Sequence, residues 1–265
     1  MNTAIKHIAT GLALCGLALP LVGQTLISHD FGGSGSADLD GVAADLYDSS
    51  AAELSSAAGA DQWQANSIYK ANGDVNPGAP TSTTQGGAYL PFVPQAGKIY
   101  EITATFTFNP NGADNEFIGF GFSRDNDIND NLQDSLDGFS WIVQRGINGS
   151  PGRYFHGAGA FGGDNFTVTR NTPQTFSVLL NATDPDSTKW SGEGYLNGTL
   201  VGSFATPANG NPGFIDYVAL TKNVGDVSGN FDSFEVSIIP EPSATGLIFG
   251  GLTGLLLLRR RRARR

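Results

Sequence analysis

Apolar and polar residues alternate with a period of two at several places between residues 25 and 239, the mark of strands with one face buried. The clearest run sets Tyr100, Ile102, Ala104, Phe106 and Phe108 on one face against Ile99, Glu101, Thr103, Thr105 and Thr107 on the other. Ile118, Phe120 and Phe122 form a second inward set, with Gly119 and Gly121 opposite. Phe139, Trp141 and Val143 predict a third, and Phe176, Val178 and Leu180 a fourth. Residues 214–220 predict a fifth with a less regular period, and Phe234, Val236 and Ile238 a sixth against Glu235 and Ser237. Turn residues punctuate these runs, among them Asn109-Pro110-Asn111-Gly112 and 209–213. Asn197-Gly198 between Tyr195-Leu196 and Thr199-Leu200 is a two-residue hairpin signal, because both central residues of the favoured turn take positive φ. Long helical periodicity is absent. Segment 41–60, rich in Ala, Ser and Asp and carrying Leu46 and Leu54, reads equally as a surface loop or a short helix.

Short strands separated by Gly, Asn and Pro predict an all-β fold, a single antiparallel β-sandwich of jelly-roll type over residues 24–239. The layout resembles the concanavalin A-like, laminin-G-like lectin group. The resemblance is carried by an opening strand at 26–31, the runs 98–108 and 117–122, the hairpin at Asn197-Gly198 and a closing run at 231–236. These residues span most of the segment but form no specific motif, so the resemblance implies a fold and leaves function open.

Composition narrows the field. A hydrophobic content of 40% supplies a core, and 15% charge is low. The one cysteine, Cys15, excludes a disulfide framework and Cys-rich zinc or iron–sulfur sites. The formal net charge of −10 hides an asymmetry: six of the fifteen basic residues lie in the last seven positions. Residues 24–239 hold eight basic and twenty-four acidic side chains, a formal −16. Such a surface repels phosphate backbones, which argues against nucleic acid as a partner.

The two ends read as addresses. Lys6 followed by the apolar run 8–22 and the small residue Gly23 predicts a secretory signal helix over residues 1–23. At the other end Pro240, Glu241 and Pro242 precede an uncharged apolar run, 244–258, and then Arg259, Arg260, Arg261 and Arg262. The prolines end the preceding strand. At ~1.5 Å per residue the run reaches roughly 22 Å as a helix, short of a ~30 Å hydrocarbon core. It is therefore a short transmembrane helix for transient insertion, with the arginines holding its end on the cytoplasmic side. This tripartite tail, residues 240–265, resembles the PEP-CTERM sorting signal of Gram-negative bacteria, a tail also labelled an ice-binding protein C-terminal domain. Ile239 before the motif is a mild departure, since Val is common there. The resemblance implies an exosortase-type membrane peptidase as partner, removal of the tail, and delivery to the cell surface or an exopolysaccharide matrix.

Candidate chemistry inside the cargo is sparse. Asp125, Asp127 and Asn129 place oxygen ligands at alternate positions, as the first three ligands of a Ca²⁺ loop would be. The match then stops, with Asp130 where a glycine and Leu136 where a glutamate belong, so a solvated acidic loop is the competing reading. Aromatic platforms for a sugar would come from Trp63, Tyr69, Tyr89, Trp141, Trp190 or Tyr195, each of which also suits a core. Beyond the signal segment only His29 and His156 remain as imidazoles, and no G-x-S-x-G elbow or H-E-x-x-H motif occurs. The expectation is an exported bacterial surface or matrix protein, non-enzymatic, with polysaccharide as its partner class. A calcium-dependent carbohydrate-binding module and a secreted glycoside hydrolase are the alternatives.

Overall fold

The alternation at 98–108 sets the frame. A computed structural model describes residues 23–33, 37–75, 85–109, 117–124, 126–130, 138–145, 152–155, 161–166, 169, 171–205, 215–223 and 228–240. The strands in chain order are β1 (Gln24–His29), β2 (Leu46–Tyr47), β3 (Gln64–Ala65), β4 (Asp74–Val75), β5 (Gly86–Pro91), β6 (Lys98–Asn109), β7 (Phe117–Ser123), β8 (Gly138–Arg145), β9 (Gly152–Phe155), β10 (Phe161–Phe166), β11 (Gln174–Ala182), β12 (Ser191–Leu196), β13 (Thr199–Ala205), β14 (Tyr217–Lys222) and β15 (Ser228–Ile239). They pair antiparallel in two layers. The first sheet runs β13-β12-β11-β6-β15-β1-β2, with β4 also on β15; the second runs β10-β9-β8-β7-β14-β5-β3.

Both layers turn their apolar positions toward each other. Tyr100, Ile102, Ala104, Phe106 and Phe108 of β6 are buried, as are Phe176, Val178 and Leu180 of β11. They meet Ile118, Phe120 and Phe122 of β7 with Val218 and Leu220 of β14. The Asn197-Gly198 hairpin joins β12 to β13 with φ of 49° and 76°, the positive pair its turn demands. Asn197 also accepts the Thr175 N–H through Oδ1 at 3.0 Å, which fastens the hairpin to β11.

Two irregularities fill the core more densely than strict alternation allows. In β15 the register slips at Asp232, so Phe231 and Phe234 both face inward although three positions apart. In β1 a slip at Leu26 buries Leu26 and Ile27 together.

Segment 41–60 forms turns rather than a helix. It belongs to a strap that leaves the first sheet at β2, on the edge of β1, and joins the second at β3, on the edge of β5. The strap thereby covers two strand edges that would otherwise present unpaired backbone groups. Glu53 pins it: its buried carboxylate pairs with Lys98 and accepts the Tyr100 hydroxyl at 2.8 Å, both on β6. Trp63 and Leu54 drive it into the core.

Trp141 pairs with Gly121 and Ile142 with Phe120 in the second sheet. Both faces of β7 are buried.

The predicted signal helix, the apolar run 244–258, Glu241, Pro242 and the arginines lie outside the described residues. Pro240 is described, and β15 ends at Ile239 immediately before it.

Candidate functional site

The outer face of the second sheet combines small residues with aromatic rings, and on β5, β7 and β14 it is largely buried. Side chains alternate across a strand, so the positions facing away from the core are Gly87 and Tyr89 of β5, Tyr217, Ala219 and Thr221 of β14, and Phe117, Gly119 and Gly121 of β7. The register continues one row as Tyr89, Ala219, Gly121, Trp141 and Phe155. Tyr89, Phe117 and Ala219 form an apolar cluster separate from the main core, with Ile128 and Tyr217 packed on it. The Tyr89 and Tyr217 rings meet edge to face, centroids 6.2 Å apart.

The acidic loop lies across the edge of this face. Tyr89 donates its hydroxyl to the Asp127 carbonyl at 3.2 Å, and the Gly87 N–H donates to the Ile128 carbonyl at 3.1 Å. Three amide contacts add to these. Asn126 Nδ2 donates to Gln64 Oε1 at 2.7 Å, Gln85 Nε2 to Asp130 Oδ1 at 3.2 Å, and Asn66 Nδ2 to Asn129 Oδ1 at 3.4 Å. Asp127 Oδ1 accepts the Asn129 N–H at 2.9 Å, closing an Asx turn. Asp127 and Asn129 are thus neighbours in one exposed turn, with part of their oxygen capacity already engaged. Asp125 lies outside the described residues. Among the described residues no group of three His, Cys, Asp or Glu side chains is placed to hold a metal ion.

Gly87 makes the seat for this arrangement. A methyl group built on it would overlap the Tyr89 ring and hydroxyl, because the ring lies back over the glycine. Gly87→Ala is expected to lift the Tyr89 ring and detach the Asp127 carbonyl. Amide exchange in 126–130 should then rise at least several-fold while β11 keeps its protection; unchanged exchange in the loop would refute the coupling.

The other candidate aromatics fill different places. Trp63 and Tyr69 are core residues, the latter donating to the Gly86 carbonyl at 3.0 Å. Trp190 is also in the core and follows a 3₁₀ turn (Ser187–Lys189) capped by Asp186; its indole N–H donates to the Asp184 carbonyl at 2.8 Å. Tyr195 stands half-buried on the outside of the first sheet and donates to Glu193, whose carboxylate pushes the phenol up to about 12.

Glu101 and Glu193 flank Leu179 on the outer face of the first sheet, and Glu235 lies on the same face of β15. Glu53 is committed to Lys98 and Tyr100. His29 is buried among rings, and His156 lies outside the described residues.

Sequence reasoning missed Gln64, Asn66 and Gln85 as anchors of the acidic loop. A signal existed in Gln62-Trp63-Gln64-Ala65, a short period-two run whose apolar members are buried. It is brief and sits inside a stretch rich in Ala and Ser, which masks it.

No protein-family model and no curated protein matches this chain. Similar solved structures include the potassium-bound carbohydrate recognition domain of Emp46p, at 10% identity over 59% of this chain and 79% of that one, TM-score 0.44. Another is alginate lyase Aly36B with bound alginate tetrasaccharide, at 10% identity over 83% and 98%, TM-score 0.44. A third is the carbohydrate-binding module CBM66 from Bacillus subtilis, at 12% identity over 64% and 88%, TM-score 0.35. At these scores the likenesses transfer no function. The strand pairing itself defines the architecture: an antiparallel β-sandwich of the jelly-roll, concanavalin A-like type.

Proposed function

We propose that the chain is an exported bacterial cell-surface or extracellular-matrix protein, non-enzymatic, sorted by an exosortase-type system, whose sandwich engages polysaccharide. The observation that carries this reading is the pairing of the first and last strands. Gln24 lies opposite Ile238, so the chain enters and leaves the sandwich side by side. A leader ending near Gly23 and a membrane stop beginning after Pro242 both need their junctions at one membrane face. This fold lets both junctions reach that face without unfolding. The order of the tail supports the same reading, with Pro240-Glu241-Pro242, the apolar run and the arginines following the last strand.

A non-catalytic role is supported by where the titratable groups lie. Glu53 is locked into the strap, and Glu101, Glu193 and Glu235 stand on the outer face of the first sheet. Polysaccharide as the partner class follows from the sorting reading, because the matrix to which such a tail implies delivery is itself an exopolysaccharide. Deleting 246–258 is expected to abolish surface delivery, leaving the protein in a soluble fraction. The mature mass of the parent from its native cell should show both ends removed. Unchanged fractionation of the deletion, or an intact parent mass, refutes the sorting reading.

A further inference from the structure

His29 occupies an unusual site. It is 5% exposed and packs against Phe31, with ring centroids 4.5 Å apart, and against Trp63 at 6.0 Å. Trp63 continues the cluster onto Phe234 at 5.5 Å. Among the described residues neither imidazole nitrogen has a hydrogen-bond partner, and neither does the Trp63 indole N–H. His29 ends β1, whereas Trp63 belongs to the strap, so this ring cluster holds the strap to the first sheet at β1, as Glu53 does at β6.

The charged groups around it are few. Asp45 Oδ2 stands 3.8 Å from His29 Nδ1 but already accepts the Asp30 N–H at 2.7 Å. Asp30 is the neighbour on the same strand end. Asp61, two residues before Trp63, bears on Tyr47. On β15 the aromatic positions Phe231 and Phe234 face inward, while Asp232 and Glu235 are exposed.

We infer that His29 is an acid-sensitive fastener: when its imidazole takes a second proton, residues 37–65 loosen from the first sheet while β6 and β11 stay paired. A neutral ring suits an aromatic box, but an imidazolium there loses its hydration. Two reliefs are open to it. Asp45 can turn toward Nδ1 and abandon the Asp30 N–H, or the imidazole can leave and uncouple from Trp63. Each weakens the strap where it meets β1, and so frees the covered edges of β1 and β5. Burial is the largest influence on the imidazole and holds its pKa below the ordinary value near 6.5, with Asp45 and Asp30 pulling it back up. The folded state therefore binds this proton less readily than the unfolded chain. The contribution is complete above about pH 6.5 and is lost as pH falls through the folded pKa.

The test is amide exchange on the full chain in mild detergent, corrected for intrinsic rates. Amides in 37–65 are expected to exchange at least ten-fold faster at pH 5 than at pH 7.5, with the β6–β11 ladder unchanged. His29→Phe, which keeps the ring cluster, should remove that difference. Equal strap protection at both pH values in the parent, or an undiminished difference in His29→Phe, overturns the inference. Should His29→Phe fail to fold, the parent's own imidazole titration decides: a His29 pKa at or above about 6.5 overturns it as well.

Discussion

Phe106→Ala is expected to lower the stability of the sandwich by about 4 kcal/mol, the upper range for removing a buried aromatic ring. Phe106 is 1% exposed and lies where both layers meet. Its ring stacks on Phe176 of β11 at 4.6 Å, tilts against Phe231 of β15 at 5.0 Å, and meets Phe120 of β7 edge-on at 6.3 Å. Three strands of the first sheet and one of the second therefore lose a contact together. The surrounding positions are fixed by ladder hydrogen bonds, so they cannot close the void by a small shift. Urea unfolding should show a lower midpoint with an unchanged slope. A loss below about 1 kcal/mol would mean that the ring does not join the two layers.

The same contacts explain which parts of the fold the sequence announces. Phe106 stands in a strand with one dry and one wet face, so polarity alone reports its orientation: Thr103 and Thr105 face out and bond Ser177 and Thr175 across the ladder at 3.1 and 3.0 Å. β7 lacks that contrast, because it is buried on both faces along its whole length. The bulge at Asp232 changes the period from two to three for one step, which alternation counting reads as noise. The strap follows no period beyond the brief run Gln62-Trp63-Gln64-Ala65. Its placement depends on Glu53 meeting Lys98 and Tyr100, partners forty-five and forty-seven positions away. A local window cannot see such a pairing, although a lone glutamate amid alanines and serines was the available hint. The acidic loop is a similar case: its composition was plain, but its anchoring by Tyr89, Gln64, Asn66 and Gln85 arises only once β3, β5 and β7 lie in one sheet.

Lys98→Met should cost about 3 kcal/mol at neutral pH and reverse the sign of one acid response. Glu53 is 2% exposed, and both its partners act on one oxygen, Oε1, while Oε2 has none among the described residues. Burial pushes this carboxyl up, but the Lys98 and Tyr100 hydrogen bonds and the Lys98 charge together outweigh it and hold the pKa below the usual value. In the parent, the group's contribution is therefore present above the unfolded carboxyl pKa, about 4.3, and is lost as pH falls through the folded one. Methionine keeps the aliphatic stem of Lys98 and deletes the ammonium, so burial then dominates and the folded pKa moves above the unfolded one. The folded variant now binds the proton more readily, and its stability rises as pH is lowered from 7 toward 5. At neutral pH the melting temperature should fall by roughly 6–12 °C. Adding Glu53→Gln to Lys98→Met removes the stranded charge, so the double variant should regain part of the loss and show no such rise. An unaltered acid slope in Lys98→Met would mean that the ammonium does not hold the strap and that Tyr100 carries the fastening to β6 among the described residues.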